Sequence, residues 1–156
     1  MLLIEQLQRT QAETLSYFEA SEPELRRSYG PGKWNVRYLL HHLADAESML
    51  LERIKRIISE PHQILWSFDQ DAWAEHLHYA RRPLILSRNL YTACRNQMIY
   101  YARLHYEANG HLQFVHSEMG MRTLKEEFEK VAGHNQHHLE QIREALLIQP
   151  RFIPLR

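Results

Sequence analysis

The sequence predicts an all-α fold, a four-helix bundle with a long crossover between the second and third helices. Glycine and proline are scarce, at 5 and 6 of 156 residues, and the helix-favouring residues Leu, Glu, Gln, Arg and Ala are plentiful. Apolar residues recur at helical spacing in four long segments, whereas the alternation typical of strands is hard to find. Four long helices with one long connection are typical of a bundle. The alternative is an irregular helical domain.

The first two helices carry apolar stripes with recognisable ends. Apolar residues at helical spacing predict a helix over residues 2–20, and Pro23 ends the pattern. A turn-rich segment follows. Asn35 is a suitable N-cap for a second helix over residues 36–59, which Pro61 ends.

A long connection separates these helices from the last two. Residues 60–82 lose the helical period but hold four aromatic residues that we expect to be buried and to wall a pocket: Trp66, Phe68, Trp73 and Tyr79. A connection of this length can cross the whole bundle, so the second and third helices can run parallel. The third helix is predicted over residues 84–108. A capping box of Thr123 and Glu126 begins the fourth helix, which runs to about Leu147.

Length and charge limit the functions open to the chain. Residues 1–156 fit one domain, which can bury about two thirds of the surface of its unfolded chain. The 19 basic and 19 acidic side chains cancel, so we expect neither nucleic acid nor a membrane as a partner. The single cysteine, Cys94, allows no intramolecular disulfide and is interpreted as a small apolar core residue. The first residues do not resemble a signal peptide, so we expect a cytoplasmic protein.

Three of the eleven histidines lie close together in the fourth helix. His134 and His138 are one helical turn apart on the edge of the apolar stripe, whereas His137 lies on the solvent side. Such a pair can bind one metal ion, although a structural role is about as frequent. In the second helix, His42 flanks the apolar stripe and is the better candidate for a third ligand, because His41 lies nearly opposite the stripe.

Three neutral imidazoles with an open fourth position form the arrangement of a catalytic zinc site, and they also suit nickel or iron. Glu47 and Asn135 lie near the centres of the two apolar stripes, and Gln141 continues the edge that carries the histidines. We interpret Gln141 as a support of the metal ligands. For Glu47 and Asn135 we favour a core hydrogen bond or a dimer contact, and the alternative is a support of the ligands or a general base near the metal. Asp45 is expected to face solvent.

Other motifs narrow the chemistry further. Glu75 and His78 form the only E-x-x-H in the chain, so a ferritin-like di-iron centre, which needs two, is not expected. The zinc-protease motif HExxH, the nucleophile elbow and the nucleotide-binding loops are absent. The sequence assigns no role to the pair His76 and His78. Four more histidines are interpreted as structural or surface residues: His62, His105, His111 and His116.

Three segments resemble the DinB/YfiT-like family of metal-dependent enzymes, and the resemblance covers most of the chain. Residues 34–47, WNVRYLLHHLADAE, are similar to the family pattern Trp-Ser-Val-x-x-x-x-x-His-Leu-x-x-x-Glu. Residues 120–124, GMRTL, and residues 134–142, HNQHHLEQI, resemble its Gly-x-x-Thr-Leu and His-x-x-x-His-x-x-Gln-Ile. Members of this family are cytoplasmic bacterial four-helix bundles and are often homodimers.

The resemblance implies metal-ligand roles for His42, His134 and His138, with zinc or nickel as the most frequent ion. It also implies a small-molecule substrate and chemistry with low-molecular-weight thiols. The sequence therefore predicts a metal-dependent enzyme of the thiol S-transferase or hydrolase type, and indicates neither its substrate nor a further catalytic residue. The alternatives are a non-catalytic metal- or ligand-binding dimer of the stress response, and a helical interaction protein without a metal.

Overall fold

The structure is a computed structural model that describes residues 2–147. Its elements in chain order are α1 (Leu3–Tyr17), α2 (Glu22–Leu25), α3 (Val36–Ser59), β1 (Ile64–Leu65), α4 (Gln70–His76), α5 (Leu84–His105), β2 (Gln113–His116), β3 (Gly120–Thr123) and α6 (Leu124–Leu147). The four long helices α1, α3, α5 and α6 form a bundle. Within the described range, none of the helices combines the length and the apolar character that a membrane span needs.

The long helices α3 and α5 run parallel, as the length of the crossover predicts. A hydrogen bond joins His41 of α3 to Ser87 of α5, and further along both helices Glu47 pairs with Arg95. The helix α6 is antiparallel to α3, and α1 packs against both α5 and α6. The four helices therefore form a closed ring in which α3 contacts α5 and α6.

The predicted helix ends depend on local capping bonds that the structure contains. Asn35 Oδ1 accepts a hydrogen bond from the backbone N–H of Tyr38 at 3.0 Å, and α3 has the predicted bounds. At the start of α6, the Glu126 carboxylate accepts hydrogen bonds from the backbone N–H and the hydroxyl of Thr123 at 2.8 and 2.9 Å. The helices α1 and α5 end three residues earlier than predicted, at Tyr17 and His105.

A small three-stranded sheet is the part of the fold that the sequence analysis misses. Strand β1 pairs parallel with β2, with Ile64 opposite Val115, and β2 pairs antiparallel with β3, with Gln113 opposite Thr123. The sheet ties the crossover to the segment before α6. Its strands have only two to four residues, which is too short for a period of two to be visible in the sequence.

The aromatic residues of the crossover differ in their burial. Tyr79 is fully buried, and Phe68 and Trp73 are half-buried. Trp66 is 74 % exposed, so its predicted burial is wrong. The reason is the alternation of strand side chains, because Leu65 of β1 points into the core and its neighbour therefore points out.

The crossover covers the face of α3 that the sequence analysis assigns to solvent. Asp45 is only 5 % exposed and accepts hydrogen bonds from both terminal nitrogens of Arg82, at 2.8 and 2.7 Å, and from the hydroxyl of Tyr79 at 2.6 Å. His41 is fully buried, with Nδ1 2.7 Å from the hydroxyl of Ser87. The predictions of exposure for Asp45 and His41 are wrong because a helical wheel assumes one core face, whereas here α3 is buried on two.

A buried arginine at the centre of the bundle connects all four long helices. Arg95 is 0 % exposed, and its Nε and Nη2 donate to the two carboxylate oxygens of Glu47 at 2.6 and 2.7 Å. Nη2 also donates to Asn135 Oδ1 at 2.8 Å, and Nη1 donates to the carbonyl of Leu7 and the hydroxyl of Thr10 at 3.1 and 3.0 Å. All five guanidinium N–H groups therefore have an acceptor.

Replacing this arginine should destabilise the fold far more than replacing an exposed one. Arg95→Ala leaves Glu47 buried and unpaired, which should lower the free energy of unfolding by about 3–5 kcal/mol. The matched control is Arg56→Ala, which removes an exposed pair with Glu52 and should change the free energy of unfolding little. Urea denaturation measures both. The double variant Glu47→Leu/Arg95→Met should recover part of the stability lost in Arg95→Ala. Equal losses in Arg95→Ala and Arg56→Ala would contradict the central role of Arg95.

Candidate metal centre

Three histidine side chains from two helices meet at one point. His42 of α3 and His134 and His138 of α6 form, within residues 2–147, the one group of three or more His, Cys, Asp or Glu that could hold a metal ion. The Nε2 atom of His134 lies 3.1 Å from Nε2 of His42 and 3.1 Å from Nε2 of His138. The structure thus brings together the three residues that the sequence analysis predicts as ligands.

The rotation of α6 is fixed by the residue next to His134. Asn135 points into the core, where its Oδ1 accepts from the Arg95 guanidinium and from the hydroxyl of Tyr91 at 2.7 Å. Its amide donates to the hydroxyl of Thr14 at 3.1 Å. Because Asn135 is held on both sides, its neighbour His134 is turned towards α3.

Burial keeps the three imidazoles neutral. It lowers the pKa of His42 to about 3, that of His134 to about 2 and that of His138 to about 4, because an imidazolium would lose its hydration there. The neighbouring histidines lower these pKa values further. All three rings are therefore uncharged at neutral pH, so each has one nitrogen with a free lone pair that can bind a metal ion.

Gln141 fixes the tautomer of His138. Its Oε1, which can only accept, lies 2.7 Å from His138 Nδ1, so Nδ1 carries the proton and Nε2 presents its lone pair to the other two histidines. The Gln141 amide in turn donates to Nε2 of the exposed His137 at 3.1 Å. His42 is held differently, because its buried Nδ1 has no hydrogen-bond partner within the described part of the chain. Its ring packs against Trp34, with the centroids 5.2 Å apart.

Glu47 and Asn135 do not contact the three histidines through hydrogen bonds. Both side chains are buried, and their hydrogen bonds go to the network around Arg95. Since both carboxylate oxygens of Glu47 are occupied by the arginine, this residue is not free to act as a general base. For these two residues the structure agrees with the favoured interpretation of core hydrogen bonds. Of the three residues considered as supports, Gln141 is the one that touches a candidate ligand.

A cleft of about 500 Å³ opens onto His134 and His138. Trp34, from the turn before α3, and Gln70 and Asp71 of α4 contribute to its walls. The aromatic residues of the crossover reach the histidines through Phe68, whose ring centroid lies 6.2 Å from that of His42. The sequence predicts an aromatic wall but gives no signal for the polar residues of α4. This helix has only seven residues, which is too short for a helical period to be recognised within the crossover.

Several other histidines lie away from the cluster. His76 and His78 are exposed in and after α4. His116 is buried, and its ring contacts Arg53 and Lys130. No fourth protein ligand completes the cluster among the residues that the structure describes.

The helical arrangement and the three histidines define a class of protein, a four-helix bundle with a candidate metal centre between two antiparallel helices. The chain belongs to the DinB superfamily, whose sequence pattern matches residues 6–142. A solved structure shares the fold: YfiT from Bacillus subtilis superimposes with a TM-score of 0.83 at 23 % sequence identity, over 92 % of this chain and 83 % of that one. YfiT is described as "a probable metal-dependent hydrolase with an unusual four-helix bundle topology".

Curated relatives carry similar names. A protein of Oceanobacillus iheyensis named "putative metal-dependent hydrolase" is 30 % identical over 139 residues, which are 89 % of this chain and 79 % of the relative. A second protein of that organism with the same kind of name is 27 % identical over 81 % of this chain and 72 % of its own length. A third, from Halalkalibacterium halodurans, is 24 % identical over 81 % of this chain and 73 % of its own length.

Removing any one of the three histidines should abolish tight metal binding. We expect the purified chain to bind about one equivalent of a divalent ion such as zinc, and His42→Ala, His134→Ala and His138→Ala each to weaken binding more than about 100-fold, beyond the loss for an outer hydrogen-bond partner. The matched control is His111→Ala, an exposed histidine outside the cluster, which should bind as the wild type does. Isothermal titration calorimetry with zinc measures the affinity and the number of ions bound. Wild-type affinity in any of the three ligand variants would contradict the assignment.

Gln141→Leu should weaken metal binding without unfolding the chain. The substitution removes the acceptor that holds the His138 ring and its tautomer, so we expect a loss of about 10–100-fold in zinc affinity. Competition with a chromophoric chelator measures the affinity, and circular dichroism checks the fold. Gln136→Leu is the control, because it alters a half-buried glutamine of the same helix that bonds Arg9 and Glu140 and no candidate ligand. An unchanged affinity in Gln141→Leu would exclude this supporting role.

Proposed function

We propose that the chain is a metal-dependent hydrolase, with a divalent ion held by His42, His134 and His138 and its open coordination position towards the cleft. The observation that carries the proposal is the convergence of three neutral Nε2 atoms beside a cleft of about 500 Å³. Sites of this size commonly bind small molecules, so the substrate is a small molecule. The names of YfiT and of the Oceanobacillus relatives support the reaction class.

The chemistry follows from the ligand set. A divalent ion bound by three neutral imidazoles lowers the pKa of a coordinated water or thiol and so supplies a nucleophile at neutral pH. Neighbouring side chains hold the histidine rings that would bind such an ion. Gln141 orients the His138 ring, and Trp34 and Phe68 pack against the His42 ring. The burial of His42 and His138 keeps competing protons from their nitrogens.

The alternative within the same site is thiol S-transfer. A low-molecular-weight thiol would take the place of water at the open position, and its sulfur would bond to the electrophilic substrate in place of the group that leaves. Zinc and nickel both suit three imidazoles. The two reactions share the histidine ligands and differ in the nucleophile, so an assay with and without thiol separates them.

Metal-loaded protein should hydrolyse members of a panel of small esters and amides. We expect activity to be lost with a chelator and restored by zinc or nickel, and His42→Ala to lower kcat/KM by at least about 100-fold because the ion is no longer held. His111→Ala is the matched control, because this exposed histidine lies outside the cluster and the cleft, and it should retain activity. Each substrate is assayed alone and with glutathione, bacillithiol or mycothiol. Turnover that requires the thiol would show S-transfer in place of hydrolysis. Turnover that survives metal removal would contradict both of these metal-dependent reactions.

A further inference from the structure

A second cluster of polar side chains lies one helical turn from the candidate ligands. Lys130 and His134 are four residues apart on α6 and therefore lie on the same face. Arg53 of α3 and His116 of β2 approach Lys130 from the other side. A cavity of about 190 Å³ is lined by Arg53, His116 and Lys130, and also by Phe68, Glu118 and His134. This cavity therefore joins the polar cluster to the histidine centre.

Three hydrogen-bond donors converge in this cluster. The backbone N–H of Glu118 lies 3.2 Å from His116 Nδ1 and can only donate, so Nδ1 is the acceptor and the ring proton lies on Nε2. This Nε2–H group lies 3.5 Å from Arg53 Nη1 and 3.4 Å from Lys130 Nζ, which also only donate. Burial, and then the charges of Lys130 and Arg53, lower the pKa of His116 and keep its ring neutral. None of the three groups offers a lone pair to the others.

The acceptors around the cluster do not satisfy these donors. Arg53 is buried and donates to Glu127 at 3.3 Å and to the carbonyl of Trp66 at 2.5 Å, but its Nε has no partner among residues 2–147. The exposed Glu118 carboxylate accepts from the hydroxyl of Ser67 at 2.5 Å. Within the described residues, no carboxylate lies within ion-pair distance of Lys130. Donors are therefore in excess, even though two acidic residues lie nearby.

We propose that Arg53, Lys130 and His116 bind an oxyanion group of the substrate, a carboxylate or a phosphate, while the reacting bond lies at the three histidines. Two cationic donors favour an oxyanion over a neutral carbonyl because the opposite charges attract and the hydrogen bonds between them are short and strong. One helical turn, about 5 Å, separates Lys130 from His134, so the anionic group lies a few bonds from the reacting centre. That the anionic group belongs to a substrate rests on the proposed function.

The first test measures anion binding without turnover. Inorganic phosphate and acetate are titrated separately into the full chain after metal removal, and the His116 ring signals are followed by nuclear magnetic resonance. Saturable binding of either anion is expected, and the tighter one identifies the oxyanion class. Lys130→Gln should weaken it about tenfold or more, as for the loss of one charge-assisted hydrogen bond, while Lys125→Gln, an exposed lysine of the same helix, should not. Absence of saturable binding, or equal affinity in wild type and Lys130→Gln, overturns the proposal.

The second test uses turnover to locate the anion relative to the metal. Two esters are compared that differ only in a carboxylate or phosphate against a neutral group of equal size. Lys130→Gln should raise KM for the charged ester about tenfold with little change in kcat, and should leave the neutral ester unaffected. Equal effects on the two esters would overturn the subsite. Anion binding that depends on Lys130 in a chain without any metal-dependent turnover would instead contradict the proposed function and leave the anion site standing.

Discussion

The fold depends on the buried pairing of Arg95 with Glu47. Removing two charges from water is costly, and the cost is offset only when every remaining hydrogen bond is also made. Here the guanidinium needs acceptors from α1, α3 and α6 at the same time. This requirement fixes the register of four helices at one level of the bundle. Asn135 is one of the acceptors, so the arginine also sets the rotation of α6 that turns His134 towards His42. The candidate metal centre is thus a consequence of the packing of the core.

A second buried ion pair holds the crossover against α3. Arg82 binds both carboxylate oxygens of Asp45, and the Tyr79 hydroxyl adds a third hydrogen bond to the same group. The crossover therefore covers α3, and it carries Phe68 and α4 to the histidines. The candidate metal centre lies between two openings that are lined by different residues. On one side is the larger cleft, and on the other is the smaller cavity of Arg53, His116 and Lys130. A ligand between them would meet a metal ion and a set of donors together.

The long helices and the three clustered histidines are predictable from the sequence because both depend on the helical period. The period places His134 and His138 on one face, and the N-cap Asn35 and the following Pro61 predict the observed bounds of α3. The errors come from contacts between segments far apart in sequence. Asp45 and His41 are buried by the crossover, which the pattern of α3 does not contain. The strands β1 to β3 are shorter than any recognisable alternation. A buried partner is expected for Glu47, but the identity of that partner is not predictable, because Arg95 lies on another helix and no local pattern in either helix indicates the pair.

The central claim is that three imidazole nitrogens from α3 and α6 form the protein part of a metal site with an open position. X-ray absorption spectroscopy of the zinc-loaded chain tests this most directly. The account predicts three histidine nitrogens at about 2.0–2.1 Å and a light, exchangeable fourth ligand. An ion coordinated by sulfur, by protein carboxylates alone or by four histidines would contradict it, as would a chain that takes up no ion at micromolar concentration.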